Sequence, residues 1–407
     1  MPSQLHFYVF WCARDRKKLA MKNTSWQRGC HPVLKKETGF FFYYKISATI
    51  DLMQNELISN IYKVLGLGGV AFFLGVVMTP ILTHYLYKYK MWRKDARTTA
   101  PDGAGTPIFN SLHKEREVRA PRMGGILIWG TTLIVALIFW FLGTYFDGPF
   151  FTKFNFLSRG QTWVPLGILM AGSMVGLLDD LLLVFQKGGY AGGGLTFTRR
   201  IILITLIGTL GAYWFYFKLG TEAIFIPGLG DWNLGILFPI FYILVTLAVF
   251  SGGVIDGLDG LAGGVFANIF AAYAGIAFFQ NQIDIAAFCA VIAGSILAFL
   301  WFNIPPARFY MSETGIMGLT TMLAAVAFLT DAVGVLPLIA LPLVIESLSV
   351  IIQLFSKRFF GRKVFLVAPI HHHFEAIGWP AEKVVMRFWV LSMVFAAFGM
   401  IVQLISY

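Results

Sequence analysis

The chain has 407 residues, of which 57% are hydrophobic and only 13% charged, and Phe alone occurs 40 times. Soluble proteins carry about 25% charged residues, so this composition excludes a soluble globular domain. The formal net charge of +11 reads as membrane topology and attraction to anionic lipid head groups, not as nucleic-acid binding.

The first 52 residues stand apart from the rest. They are rich in aromatic and basic residues, and "CARDRKKLAMK" breaks any helix-length apolar run. A signal peptide needs a basic start, an apolar centre and a small-residue cleavage site in that order, which this segment lacks. Residues 1–52 therefore read as an N-terminal extension, non-native or disordered, with Met53 a plausible start and 53–407 as the functional domain. Cys12 and Cys30 fall in the extension and Cys289 inside an apolar run, with no metal or disulfide spacing.

From there the chain reads as an all-α polytopic membrane protein. Ten apolar runs lie near 61–84, 125–146, 162–178, 201–218, 232–251, 261–280, 284–302, 316–333, 335–355 and 388–406. Each is long enough to cross a bilayer as a helix, and none alternates as a barrel strand would. Only Asp331 and Gly334 separate the eighth run from the ninth. Connections after odd-numbered runs hold 19 Lys and Arg, those after even-numbered runs only Lys153, Arg159 and Lys218. The positive-inside rule places the odd connections in the cytoplasm, and the expected location is the inner (plasma) membrane.

Polar groups beside membrane spans are costly and ask for a reason. "GLLDDLLLV" puts Asp179 and Asp180 at the end of the third run, and "GGVIDGLDGLAGG" puts Asp256 and Asp259 after the fifth. "FNIPPARFYMSETG" puts Glu313 after the seventh, and "APIHHHFEAIGW" puts His371, His372 and His373 after the ninth. All follow odd-numbered runs, so five carboxylates and three imidazoles share the cytoplasmic face.

Each also has a plainer reading. Asp179 and Asp180 could mark a span end in water, or hold a divalent cation or do base work. Asp256 and Asp259 share a helix face at spacing i, i+3 among glycines that could be a packing seam. Glu313 suits a helix N-terminus through the macrodipole or a metal site facing the aspartate pair. The histidines suit a solvated loop or hydrogen bonds to phosphate. Glu346, in mid-run, is either a paired bundle residue or a functional one.

These motifs resemble the phospho-N-acetylmuramoyl-pentapeptide transferase family, within the polyprenyl-phosphate N-acetylhexosamine-1-phosphate transferase superfamily. The resemblance spans about residues 57–407 and is strongest in "KVFLVAPIHHHFEAIGWPAEKVVMRFWV" and "DGLDGLAGG", with "GLLDD" and "RMGG" beside them. It implies transfer of phospho-N-acetylmuramoyl-pentapeptide from UDP-N-acetylmuramoyl-pentapeptide to undecaprenyl phosphate, releasing UMP in peptidoglycan synthesis. It implies Mg²⁺ as cofactor, held by Glu313 and Asp180, with Asp179, Asp180 and Glu313 catalytic. Asp256, Gly257, Leu258, Asp259, Asn303 and Tyr310 would form the uridine end of the substrate site. His371, His372, His373 and Arg200 would complete it, and a homodimer is a candidate assembly.

The chain departs from the family at several positions. Glu313 replaces the family's aspartate in "MSETG", Gly253 replaces an asparagine, Leu183 a lysine, and Glu117 another lysine between Arg116 and Arg119. Lys187 or Arg200 could supply the charge lost at Leu183. A sister activity, transfer of N-acetylglucosamine phosphate to a polyprenyl phosphate, is the alternative. A transporter is disfavoured because its charged groups would sit at mid-membrane on paired repeats.

Overall fold

The computed structural model describes residues 36–94, 120–158, 160–187 and 193–407, with side chains from residue 53 onward. Cys12, Cys30, Arg116, Glu117, Arg119 and Arg159 lie outside the described residues. The chain divides into two compact units, Met1–Ser59 and Asn60–Tyr407, and the second holds every motif of interest.

The helices follow the apolar runs. In chain order they are α1 (Lys36–Lys88), α2 (Gly125–Tyr145), the short α3 (Pro149–Phe154), α4 (Gly160–Val184) and α5 (Phe197–Tyr213). Then come α6 (Phe238–Ser251), α7 (Leu261–Phe279), α8 (Ile283–Asn303) and α9 (Ser312–Leu329). The chain ends with α10 (Leu336–Ile339), α11 (Leu341–Phe360), α12 (Ile370–Ala376) and α13 (Ala381–Ser406). The 21 residues of α2 span about 32 Å at 1.5 Å per residue, a hydrocarbon core's thickness.

Among the described residues nine helices are long and apolar enough to cross a membrane, where ten runs were expected. The ninth run is the exception. It breaks at Ala340 between α10 and α11. Along α11 the residues Glu346, Ser349, Gln353 and Ser356 are buried while Leu348, Ile351, Ile352 and Phe355 are exposed. The helix is amphipathic with its polar stripe turned inward, which a membrane-embedded surface permits.

The core is built around α9, whose residues are buried along nearly its whole length. It packs against α4, α6 and α2, while α7 pairs with α8 and α13. The α4–α9 contact is close: a Cβ on Gly176 would collide with the backbone carbonyl of Glu313. The outer faces of α5, α6 and α13 expose Leu206, Leu210, Ile240, Leu244, Val390 and Val394, as a lipid-facing surface should. The apolar runs gave no sign of a hairpin between α5 and α6. There Ala223–Ile226 and Gly230–Asn233 pair antiparallel as β1 and β2, with Ala223 opposite Asn233 and Ile226 opposite Gly230.

Candidate active site

The site assembles on the N-terminus of α9. The first backbone N–H groups of a helix lack partners within it, and two carboxylates from other elements supply them. Asp180 Oδ2, from the end of α4, accepts the Thr314 N–H at 3.0 Å. Asp256 Oδ2, from the α6–α7 connection, accepts the Ser312 N–H at 2.9 Å. The dipole of α9 favours negative charge at this end.

Two guanidiniums knit the carboxylates together. Arg122 Nε donates to Asp180 Oδ1 at 3.1 Å. Arg200, on the first turn of α5, donates from Nη2 to Asp179 Oδ2 at 2.8 Å and from Nη1 to Glu313 Oε1 at 2.6 Å. The other oxygen of Asp179 accepts the Leu195 N–H at 2.5 Å. Asp179 and Asp180 are fully buried, whereas the Glu313 side chain is 24% exposed. Glu313 is therefore the carboxylate of the cluster most open to solvent. Burial pushes the Asp256 carboxyl up to about 6, against the pull of Arg122 and of its hydrogen bond from Ser312.

The residues expected at the uridine end are tied into the scaffold to different degrees. Asn303 spends both ends of its amide on the scaffold: Oδ1 accepts the Gly260 N–H at 2.9 Å and Nδ2 donates to the Phe309 carbonyl at 2.8 Å. Asp259 Oδ2 accepts the Ala307 N–H at 3.1 Å, tying the same two connections together. Tyr310 is fixed by its backbone, which donates to the Pro121 carbonyl and accepts from Gly124, both at 2.8 Å. Leu258 is buried and Gly257 is exposed.

The histidines sit on α12, whose entry is organised by the polar stripe of α11. Gln353 Oε1 accepts the N–H groups of Val364 and Phe365, both at 3.0 Å, and Ser349 Oγ accepts the Ile370 N–H at 3.0 Å. His371 and His372 then lie with ring centroids 4.1 Å apart. A Cβ added to Gly257 would strike His371 Nε2 and come within 3.0 Å of His372 Nε2. Gly257 is thus a contact point between the aspartate loop and two histidines. His373 turns elsewhere, its Nδ1 accepting the Leu366 N–H at 3.2 Å.

The four motif regions expected on one face therefore meet at one end of the bundle. Leu183 is buried, and Arg200 reaches Asp179. Three participants escaped the sequence reading. Arg122 opens the "RMGG" motif and was signalled there without a role. Ser312 acts through its backbone, and Glu375 pairs with His372, its Oε2 2.8 Å from Nδ1.

A membrane-embedded helical bundle with a buried acid–guanidinium cluster at one end defines the class, and comparison with known proteins gives the family. Residues 162–331 match the model of glycosyl transferase family 4. The chain is 32% identical over 338 residues to a phospho-N-acetylmuramoyl-pentapeptide-transferase of Geobacillus thermodenitrificans, covering 82% of this chain and 96% of that one. It is 34% identical over 347 residues to the protein of that name from Listeria welshimeri, covering 84% and 99%. It is 34% identical over 329 residues to that of Levilactobacillus brevis, covering 80% and 95%. The chain belongs to glycosyl transferase family 4, whose members are membrane phospho-sugar transferases, and groups there with the phospho-N-acetylmuramoyl-pentapeptide-transferases.

Proposed function

We propose that the protein transfers phospho-N-acetylmuramoyl-pentapeptide from its uridine diphosphate carrier to undecaprenyl phosphate, releasing UMP. The observation that carries this reading is the cluster of Asp179, Asp180 and Glu313 bridged by Arg200 and Arg122, adjoining the Asp256 loop and the histidines. Relatives named for this reaction over nearly their whole length support it.

Phosphoryl transfer asks a protein mainly for positioning and for compensation of charge. Arg122 and Arg200 offer fixed positive charge to phosphate oxygens in a water-poor cleft, where such interactions are strongest. The aspartate pair activates the lipid phosphate for attack. The α6–α7 loop holds the nucleotide end, and Asn303 and Asp259 keep that loop in shape. The distribution of Lys and Arg supports placing this face in the cytoplasm.

Among the described residues no group of three or more His, Cys, Asp or Glu can hold a metal ion by itself. A cation would take substrate phosphate oxygens as its remaining ligands, the usual habit of Mg²⁺. The site suits one, because three carboxylates outnumber two guanidiniums and Glu313 reaches the open side. Glu313 and Asp180 would hold the Mg²⁺, which when bound neutralises negative charge on the diphosphate.

The test is UMP release by purified protein with undecaprenyl phosphate and Mg²⁺, comparing UDP-N-acetylmuramoyl-pentapeptide with UDP-N-acetylglucosamine, each with and without EDTA. Metal-dependent release from the pentapeptide substrate alone is expected. Release from UDP-N-acetylglucosamine alone would move the protein to the sister activity.

A further inference from the structure

Glu346 has no part in the reading so far, yet it is fully buried in a membrane protein, where an unpaired carboxylate is costly. Its Oε2 lies 2.9 Å from His371 Nδ1, and His371 is fully buried too. The opposite ring nitrogen, His371 Nε2, is buried without a hydrogen-bond partner, and it is aimed at the exposed backbone of Gly257. In the neighbouring ring His372 Nδ1 lies 2.8 Å from Glu375 Oε2, and Nε2 lies near the same glycine.

An imidazole's free nitrogen is defined by what its other nitrogen does. An ionised carboxylate can only accept, so Glu346 in that form holds the ring proton on Nδ1. In the neutral ring the lone pair is then on Nε2, which faces Gly257 as an acceptor. Phosphate oxygens are acceptors themselves and cannot complement it. Hydroxyl and amide N–H groups can.

We propose that Glu346 is a positioning residue that locks His371 with Nδ1 protonated, so that Nε2 accepts a hydrogen bond from a hydroxyl or amide N–H of the donor substrate's sugar. This rests on the transferase reading for the identity of the substrate, but not for the state of the ring. The sugar, rather than the diphosphate, is the part of the donor that meets Gly257 and His371.

The experiment uses the full chain in detergent with histidine labelled by ¹⁵N, and His371→Gln to assign the His371 ring signals. At pH 8 the wild-type ring is expected to carry its proton on Nδ1 and its lone pair on Nε2. In Glu346→Gln the tautomer should become mixed, and kcat/KM for UMP release should fall about tenfold to a hundredfold, the usual loss when an imidazole's orienting partner is removed. Glu346→Asp should recover part of it. Adding UDP-N-acetylmuramoyl-pentapeptide should move the Nε2 signal, and adding UDP should not. A lone pair on Nδ1 in the wild type, or an equal response to UDP, would overturn the proposal. If Glu346→Gln does not fold, the wild-type tautomer and the two ligand additions still decide it. Absence of UMP release from wild type would defeat the transferase reading while leaving the ring measurement standing.

Discussion

Arg200 holds Glu313 by a single short ion pair, Nη1 to Oε1 at 2.6 Å, while the same guanidinium grips Asp179 at 2.8 Å. The longer side chain that this sequence carries in "MSETG" is thus bound to the residue that also steadies the aspartate pair. A lysine is a point charge and cannot span two carboxylates as a planar fork does. Arg200→Lys is expected to lower UMP release about a hundredfold, the size of loss typical when one charge-stabilising donor leaves an active site. An unchanged rate would remove Arg200 from the site's chemistry.

Glu313 should govern the metal requirement. Glu313→Gln keeps the shape, removes the charge and is expected to abolish turnover in folded protein. Glu313→Asp keeps the charge but withdraws it by one methylene. It should retain turnover, with the Mg²⁺ concentration for half-maximal rate shifted. Titrating Mg²⁺ against UMP release in both variants checks this, and near-normal rates in Glu313→Gln would end the metal assignment.

Asn303 separates scaffold from substrate contact. Its amide satisfies a buried N–H and a buried carbonyl, and each group left unpaired costs about 1–3 kcal/mol. Asn303→Ala should lower the apparent melting temperature by several degrees. KM for the nucleotide substrate should stay near wild type in the fraction that remains folded. A raised KM without loss of stability would support the direct substrate role expected for this residue.

Asp256 carries a pH signature. Its folded value of about 6 lies above the ordinary aspartate value near 3.9. Between those values the folded state binds more protons than the unfolded one, so this residue's contribution to stability improves as pH falls. The melting temperature of wild type minus that of Asp256→Asn should therefore rise from pH 7 to pH 5. A difference that is flat or falls over that range would contradict the raised value.

Much of this was legible because charge beside a membrane span is expensive. That cost alone singles out Asp179, Asp180, Asp256, Asp259 and Glu313 in the sequence. In the ninth run Glu346, Ser349, Gln353 and Ser356 recur at helical spacing and mark an inward polar stripe on α11. The turn-rich "IPGLGDW" carries a hairpin signal too short to register as an apolar run. Pairings stayed hidden for a physical reason. Glu346 and His371 are 25 residues apart on different elements, and Ser312 contributes a backbone N–H that any residue could offer.

Gly257 supplies the sharpest geometric prediction. Its backbone is exposed, and the nearest atoms an added methyl would meet are the far ends of the His371 and His372 rings. The rings must yield, so a small loss of stability is expected, within a few degrees of melting temperature. The displaced rings would carry His371 Nε2, the atom proposed to meet the donor substrate, out of position. Gly257→Ala is therefore expected to raise KM for UDP-N-acetylmuramoyl-pentapeptide at least tenfold, on the order of 1.4 kcal/mol of lost binding. Steady-state UMP release across donor concentrations measures it. If KM is unchanged in folded Gly257→Ala, the placement of the His371 ring does not bear on donor binding, and the sugar must be sought on another side of the carboxylate cluster.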